Sequence, residues 1–291
     1  MKYWPAILYG VLSILLITPL FAFPSKLLPL TPPEFPLGLA LFAVVPTTLG
    51  VGVALTHAAH GNQALSLLLT VITNLMGVLT MPFLLPLLLK GKGGKENVLS
   101  IDPGSLASKL ALTVLFPTLL GMGIRASHPA LRRYLTHHKT KLSLFSTFNL
   151  VMIIWQTLSA ARGELLQQSA AHLILIALAA IVQHLLMLGW NGFLLFLPLP
   201  CWLEGKREGR RGGGSDAAHL VEEEEQEGRE GGREGPWLRL RLPPREAVAT
   251  WIMTSQKSAS VAVTVISYLT DNVAQQGLLA IPCLIGQLSR T

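Results

Sequence analysis

The sequence predicts an all-α polytopic membrane protein, and three observations carry that expectation. Apolar residues make up 51% of the 291 positions, and Asp, Glu, Lys and Arg together only 13%, about half of the roughly 25% usual in soluble domains. Mean hydropathy is +0.50. The charges that are present collect near 90–109, 125–141 and 204–246. Between them lie uncharged stretches of the ~18 residues or more that a bilayer-crossing helix requires.

In chain order the apolar segments are 3–23, 36–59, 62–89, 109–124, 143–161, 170–198, 246–269 and 276–288. The first follows a single Lys2 without a small-residue cleavage site, so it reads as a retained span. Pro24 to Pro36 makes a Pro-rich connection, and His60-Gly61-Asn62 an abrupt turn. The fourth segment is short for a hydrocarbon core of about 30 Å. The eighth ends at Cys283-Leu-Ile-Gly-Gln-Leu-Ser-Arg-Thr291, as a helix cut partway would. Residues 203–243, with Glu222-Glu-Glu-Glu225 and Gly228-Arg-Glu-Gly-Gly-Arg-Glu-Gly235, are charged, Gly-rich and of low complexity. Such a composition buries too little apolar surface to offset its ordering entropy, and a disordered, solvated loop is expected.

The net charge of +7 does not imply nucleic acid, because the basic residues lie in loops between spans without aromatic interleaving. Membrane topology explains them. If loops alternate sides, Lys2, the basic residues of 125–141 and 206–245, and Arg290 share one face. Lys26, Lys90, Lys92, Lys95, Lys109 and Arg162 share the other. The richer face is expected to be cytoplasmic or organelle-interior. Cys201 and Cys283 offer neither a disulfide framework nor metal-ligand spacing.

Two spans are broken. In 36–59 the run Pro46-Thr-Thr-Leu-Gly-Val-Gly-Val-Ala-Leu-Thr56 removes a backbone donor at Pro46 and weakens helix propagation at Gly50 and Gly52. Backbone freed at that depth must meet protein or a wet cavity. A Pro kink packed with small residues is the plainer alternative. In 246–269 the run Thr254-Ser-Gln-Lys-Ser-Ala-Ser260 places six polar residues inside a span. A lysine at bilayer centre costs about 3 kcal/mol. Counted from Glu246, Lys257 lies about 16 Å deep at 1.5 Å per residue, so it is expected to face a cavity or partner. The triplets 3–23, 36–59, 62–89 and 170–198, 246–269, 276–288 place the breaks at corresponding positions, the sequence sign of a midplane solute site. Helix ends at such breaks offer positive dipoles to an anion and carbonyls to a cation. Lys257 adds a positive charge, which favours a small organic anion.

Pro46-Thr-Thr-Leu-x-x-Gly-Val-Ala-Leu-Thr56, Gly61-Asn62-x-Ala-Leu65 and Thr70-Val-Ile-x-Asn74-Leu together resemble the bile acid:sodium symporter superfamily. Ser255-Gln-Lys257 and Gly277-Leu-Leu-x-Ile-Pro-Cys283 look like its plant and algal plastid sodium/metabolite cotransporter branch, related to the animal bile-acid-cotransporter-7-like proteins. The resemblance covers nearly the whole chain except 203–243. It implies a ten-helix inverted-repeat transporter fold with panel and core domains. Residues 1–202 would supply helices three to eight and 244–291 helices nine and ten. Helices one and two would fall outside this sequence, for which a truncated gene model is the simpler account.

The resemblance also implies a plastid envelope location and a sodium/metabolite symport chemistry. The broken spans become the crossing helices four and nine. Candidate ion- and substrate-binding residues are Thr47, Thr48, Ser66, Thr70, Asn74, Ser255, Gln256, Lys257 and Ser258, with Na⁺ the one implied cofactor, at Ser66, Thr70 and Gln256. The sequence departs from the family at Gly50 and Val51, where serines are usual, at Ile252, where an acidic ligand stands, and at Ile14, where a polar one does. With the acid replaced and Lys257 nearby, the lysine could stand in for a bound cation, as in a uniporter, exchanger or proton-coupled carrier.

Two other classes compete. An intramembrane metal enzyme would draw on His57, His60 and His184, but zinc chemistry wants a third ligand on the same site and a carboxylate base, and the spans carry no paired Asp or Glu. A non-transporting regulator or scaffold derived from a transporter is the second. Trp155, Trp190 and Trp251 read as packing or interface anchors. Asn149, Gln156, Gln183 and Asn191 read as interhelical hydrogen bonders or, as the less simple alternative, as the lining of a path.

Overall fold

A computed structural model of the chain describes residues 4–48, 50–89, 102–196 and 242–290. The expected disordered loop lies outside them up to residue 241, as do Cys201, Leu49 and the lysines at 90, 92 and 95. All regular elements among the described residues are helical. They run α1 Trp4–Lys26, α2 Glu34–Val44, α3 Gly50–Ala58 and α4 Gln63–Leu89, then α5 Pro103–Ser127, α6 Pro129–His137, α7 Lys139–Ala160, α8 Arg162–Gln167 and α9 Ala170–Phe196. Beyond the 203–243 segment come α10 Pro244–Ser255, α11 Ala259–Leu269 and α12 Val273–Leu288.

Four of these are long and apolar enough to cross a membrane: α1, α4, α5 and residues 170–195 of α9. The fourth segment therefore corrects the expectation of a short span. Asp102 caps α5, its carboxylate accepting from the amides of Gly104 and Ser105 at 3.3 and 2.9 Å, and the helix runs 25 residues to Ser127. Its polar first turns, Gly104-Ser-Leu-Ala-Ser-Lys109, hid that start from an apolar count. The chain is an integral membrane protein, and its surface says so. Leu8, Leu12, Leu16 and Leu20 stand exposed at i, i+4 spacing along α1, and Leu79, Phe83 and Leu87 along α4. Ser13, Thr18, Thr56, Ser66, Thr70, Thr73, Gln183 and Asn191 are buried. Apolar-out and polar-in is the arrangement a hydrocarbon solvent selects, since buried polar groups there must find protein partners.

Both expected breaks are present. The segment 36–59 divides into α2 and α3, and 246–269 into α10 and α11. The half-helices then exchange neighbours. Phe35 and Leu39 of α2 pack with Ile176 and Ala180 of α9 and with Leu278 and Ile281 of α12. Ala249 and Met253 of α10 pack with Ala6 of α1 and with Leu65 and Leu69 of α4. A third cluster joins Phe42, Met81, Leu85, Val265 and Leu279 around α2, α4, α11 and α12. Each broken span is thus embedded in helices of the other triplet.

The ends of the bundle fit alternating loops. At one end Asn62 N–H donates to Arg245 O at 2.9 Å, and its side chain donates to Glu246 Oε1 at 3.1 Å. At the other, Lys26 Nζ donates to Leu88 O at 2.6 Å. The turn 60–62 is a Schellman closure: Gly61 N–H reaches Thr56 O and His60 N–H reaches His57 O. His60, not Gly61, takes the positive φ, 55°. Gly61 is required for room, because a Cβ there would stand 2.8 Å from Thr56 Cγ2 and 3.2 Å from Ala249 N.

Candidate functional site

The two breaks meet. After α2, Val45 turns extended and Pro46 supplies no N–H, so the chain leaves the helix. After α10, Gln256 is extended at φ −80°, ψ 143°. Ser258 N–H donates to Pro46 O at 3.0 Å, a direct backbone bond from one break to the other. Close approach is possible because Gly52 faces Met253 and Gln256: a Cβ on it would stand 2.8 Å from Met253 Sδ. Asn74 of α4 ties the first break down, its Nδ2 donating to Thr47 O at 3.0 Å and Thr70 O at 2.8 Å. Ser258 caps α11 by accepting from Val261 N, and its hydroxyl pairs with Ser260 Oγ at 3.1 Å. Gln287 of α12 accepts from Ala259 N at 3.2 Å. The N-terminus of α11 therefore opens at the crossing beside the C-termini of α2 and α10, so that dipoles of both signs converge there.

The residues expected to bind ion or solute divide by their partners. Ser66 and Thr70 are buried on α4 but donate to Gln63 O and Ser66 O of their own helix. Ser255 donates likewise to Ile252 O. In each the hydroxyl lone pairs stay free to accept or to ligate. Thr47 is buried and its Oγ1 has no hydrogen-bond partner, while Thr48 is half-buried. Gln256 Nε2 donates to Arg290 O at 3.2 Å, and Oε1 is buried without a partner. Lys257 is fully buried. Its ammonium donates to Thr18 Oγ1 at 2.7 Å and Ile14 O at 3.3 Å, both on α1.

Arg290 departs furthest from the sequence expectation. The charge pattern places it with the loops, yet it is 3% exposed. Its guanidinium lies 4.6 Å from the Phe42 ring centroid, Nη2 faces Met187 Sδ at 3.7 Å, and Nε and Nη1 are buried without partners. It also lies within electrostatic reach of Lys257 and of His184 on α9. Two buried cations thus share the crossing. The described residue that could balance them by burial, Glu246, is engaged with Asn62 at the far end of α10. No spacing rule marks a charged residue after a helix end as buried; only packing puts it there. Thr18 was also missed, but Thr18-Pro19 inside a span was a usable sign, since proline leaves a carbonyl one turn earlier unpaired.

The remaining polar residues have structural roles. Asn191 accepts from Tyr9 OH at 3.4 Å and from Ser13 Oγ, and donates to Met187 O. Gln183 donates to Ser25 Oγ and Leu39 O. Trp251 Nε1 donates to Leu188 O at 2.9 Å. Trp155 and Asn149 are exposed on α7 and Trp190 on α9; against the expectation of an interhelical bond, Asn149 donates to Phe145 O of its own helix. His57 and His60 are exposed beside the 60–62 turn. Among the described residues no three His, Cys, Asp or Glu side chains gather as a metal set. A cavity of about 340 Å³ opens between α7, α11 and α12, lined in part by Gln156, Thr157, Thr264, Ser267 and Gln276.

Residues 1–290 match the family model described as the SBF-like CPA transporter family. The chain is 30% identical over 289 residues to a protein of Arabidopsis thaliana named probable sodium/metabolite cotransporter BASS4, chloroplastic, covering 99% of this chain and 57% of that one. It is 29% identical over 287 residues to the protein of the same name from Oryza sativa subsp. indica, covering 99% and 59%. An uncharacterized sodium-dependent transporter, YocS, of Bacillus subtilis is 31% identical over 166 residues, covering 57% and 48%. The chain therefore spans somewhat over half the length of the plant relatives it matches.

Proposed function

The chain belongs to the SBF-like CPA transporter family, and from that premise we propose that it carries a small organic anion across a membrane by alternating access around the crossing of α2–α3 and α10–α11. One observation carries the reading: Lys257 and Arg290 are both buried at a backbone-bonded crossing, and among the described residues no buried carboxylate is paired to either. Uncompensated buried cations are costly and are retained where an anion arrives to balance them. Thr47 Oγ1, Gln256 Oε1 and the free Arg290 nitrogens are buried groups left for a ligand to satisfy.

Thr48, Ser255 and Ser258 lie along the two break segments, and Asn74 holds the first of them in place. A plastid envelope is the proposed membrane, in keeping with the names of the Arabidopsis and rice relatives.

The test is uptake by proteoliposomes of a panel of labelled mono-, di- and tricarboxylates, wild type against Lys257→Glu. We expect saturable uptake of at least one class and its loss in the variant. Equal uptake by the two proteins removes Lys257 from the solute path, and no uptake of any class by wild type removes the organic-anion assignment.

A further inference from the structure

We propose that the Lys257 ammonium is itself the cation of this crossing: a tethered ion seated in an oxygen cage on α1, which a free monovalent cation occupies only when the lysine side chain is taken away. The consequence for transport rests on the carrier reading above and deepens it. Solute charge would be balanced by a fixed ammonium, not by an ion drawn from solution.

The cage is built by a local irregularity in α1. Residues Ser13–Ile17 form a π turn, in which Thr18 N–H donates to Ser13 O. That amide is the one that would close an α-helical bond onto Ile14 O. The next amide along would belong to residue 19, which is proline and has none. Ile14 O is thereby left open to side chains. Thr18 Oγ1 gives it its single proton at 3.0 Å, so the hydroxyl turns only lone pairs toward Lys257 Nζ, 2.7 Å away. Nζ also reaches Ile14 O at 3.3 Å.

One carbonyl freed from a helix and one hydroxyl are the neutral, hard oxygen donors by which interrupted membrane helices hold alkali cations. Ser13 Oγ is committed to Asn191 Oδ1, which fixes the π turn against α9. The lysine that fills the cage comes from the break between α10 and α11, just as a mobile ion would arrive from the crossing. Among the described residues no carboxylate takes part, so the ammonium is held by dipoles, as a bound ion in such a site would be.

The proposal is tested on the purified full chain by thermal unfolding in choline chloride, sodium chloride and methylammonium chloride at matched ionic strength. Wild type should unfold at one temperature in all three. Lys257→Ala should unfold lower in choline and recover by roughly 5 °C, saturably, in methylammonium or sodium, as a site that binds only the folded state requires. Lys257→Ser is read in the same way if the alanine protein is not recovered, and recovery of either variant only in the smaller cations is the same positive result. Indifference of the purified variant to the cation, failure of both variants to be recovered in any of the three salts, or saturable sodium stabilisation of wild type overturns the proposal. Because unfolding needs no flux, a chain that moves no solute would sink the carrier reading and leave this result standing.

Discussion

At the scale of single residues, burial sorted side chains of like chemistry into different roles. Lys257 was marked by its depth in a polar run, and the structure gave it two oxygen partners on α1. Arg290 carried no such mark, because its environment is made by Phe42 and Met187, distant in sequence. Its two unpartnered nitrogens make a prediction with opposite signs for function and stability. Arg290→Met should raise the KM for the transported anion about tenfold or more, the loss of one charge-assisted hydrogen bond. The same change should leave the unfolding temperature unchanged or higher, since a buried, unbalanced charge gives way to an apolar side chain of similar length. A matched fall in stability and uptake would mean that Arg290 is structural.

At the scale of elements, both breaks were legible because proline and a cluster of polar residues violate what a spanning helix tolerates. The extent of α5 was not, since its first two turns are polar and helix there is fixed by the Asp102 cap. The π turn of α1 was hidden too. Pro19 announces a disturbed backbone but not whether the chain kinks or widens, a choice made by what packs alongside. The crossing depends on the approach of α3 to α10 at Gly52. Gly52→Ala should be nearly neutral, because the added methyl displaces only the flexible end of Met253 while the helix gains about 1 kcal/mol of propensity. Gly52→Val adds branches that Met253 cannot clear and should cost about 1–3 kcal/mol. Denaturant titration of the two variants in detergent checks the contrast, and equal costs would show that the approach is not set there.

At the scale of the whole molecule, the pairing of loop ends follows the alternation read from the charges. Asn62 joins Arg245 and Glu246 at one end, and Lys26 joins Leu88 at the other. In a background without Cys201 and Cys283, Asn62→Cys and Lys26→Cys should react with a membrane-impermeant maleimide from opposite sides of sealed vesicles. Labelling from the same side would break the proposed topology. The mutual embedding of α2 in α9 and α12, and of α10 in α1 and α4, was foreseen only as a correspondence between two triplets of apolar segments. That the halves interlock followed from packing.

The sequence by itself determined that this chain lives in a membrane, where most of its apolar spans fall, and which two are broken, because each depends on local composition measured against the thickness and apolarity of the bilayer. The tertiary structure decided what the breaks touch. Ile14 O, Thr18, Arg290 and Phe42 enter the site through contacts between residues up to 248 positions apart, and no local pattern encodes a contact of that range.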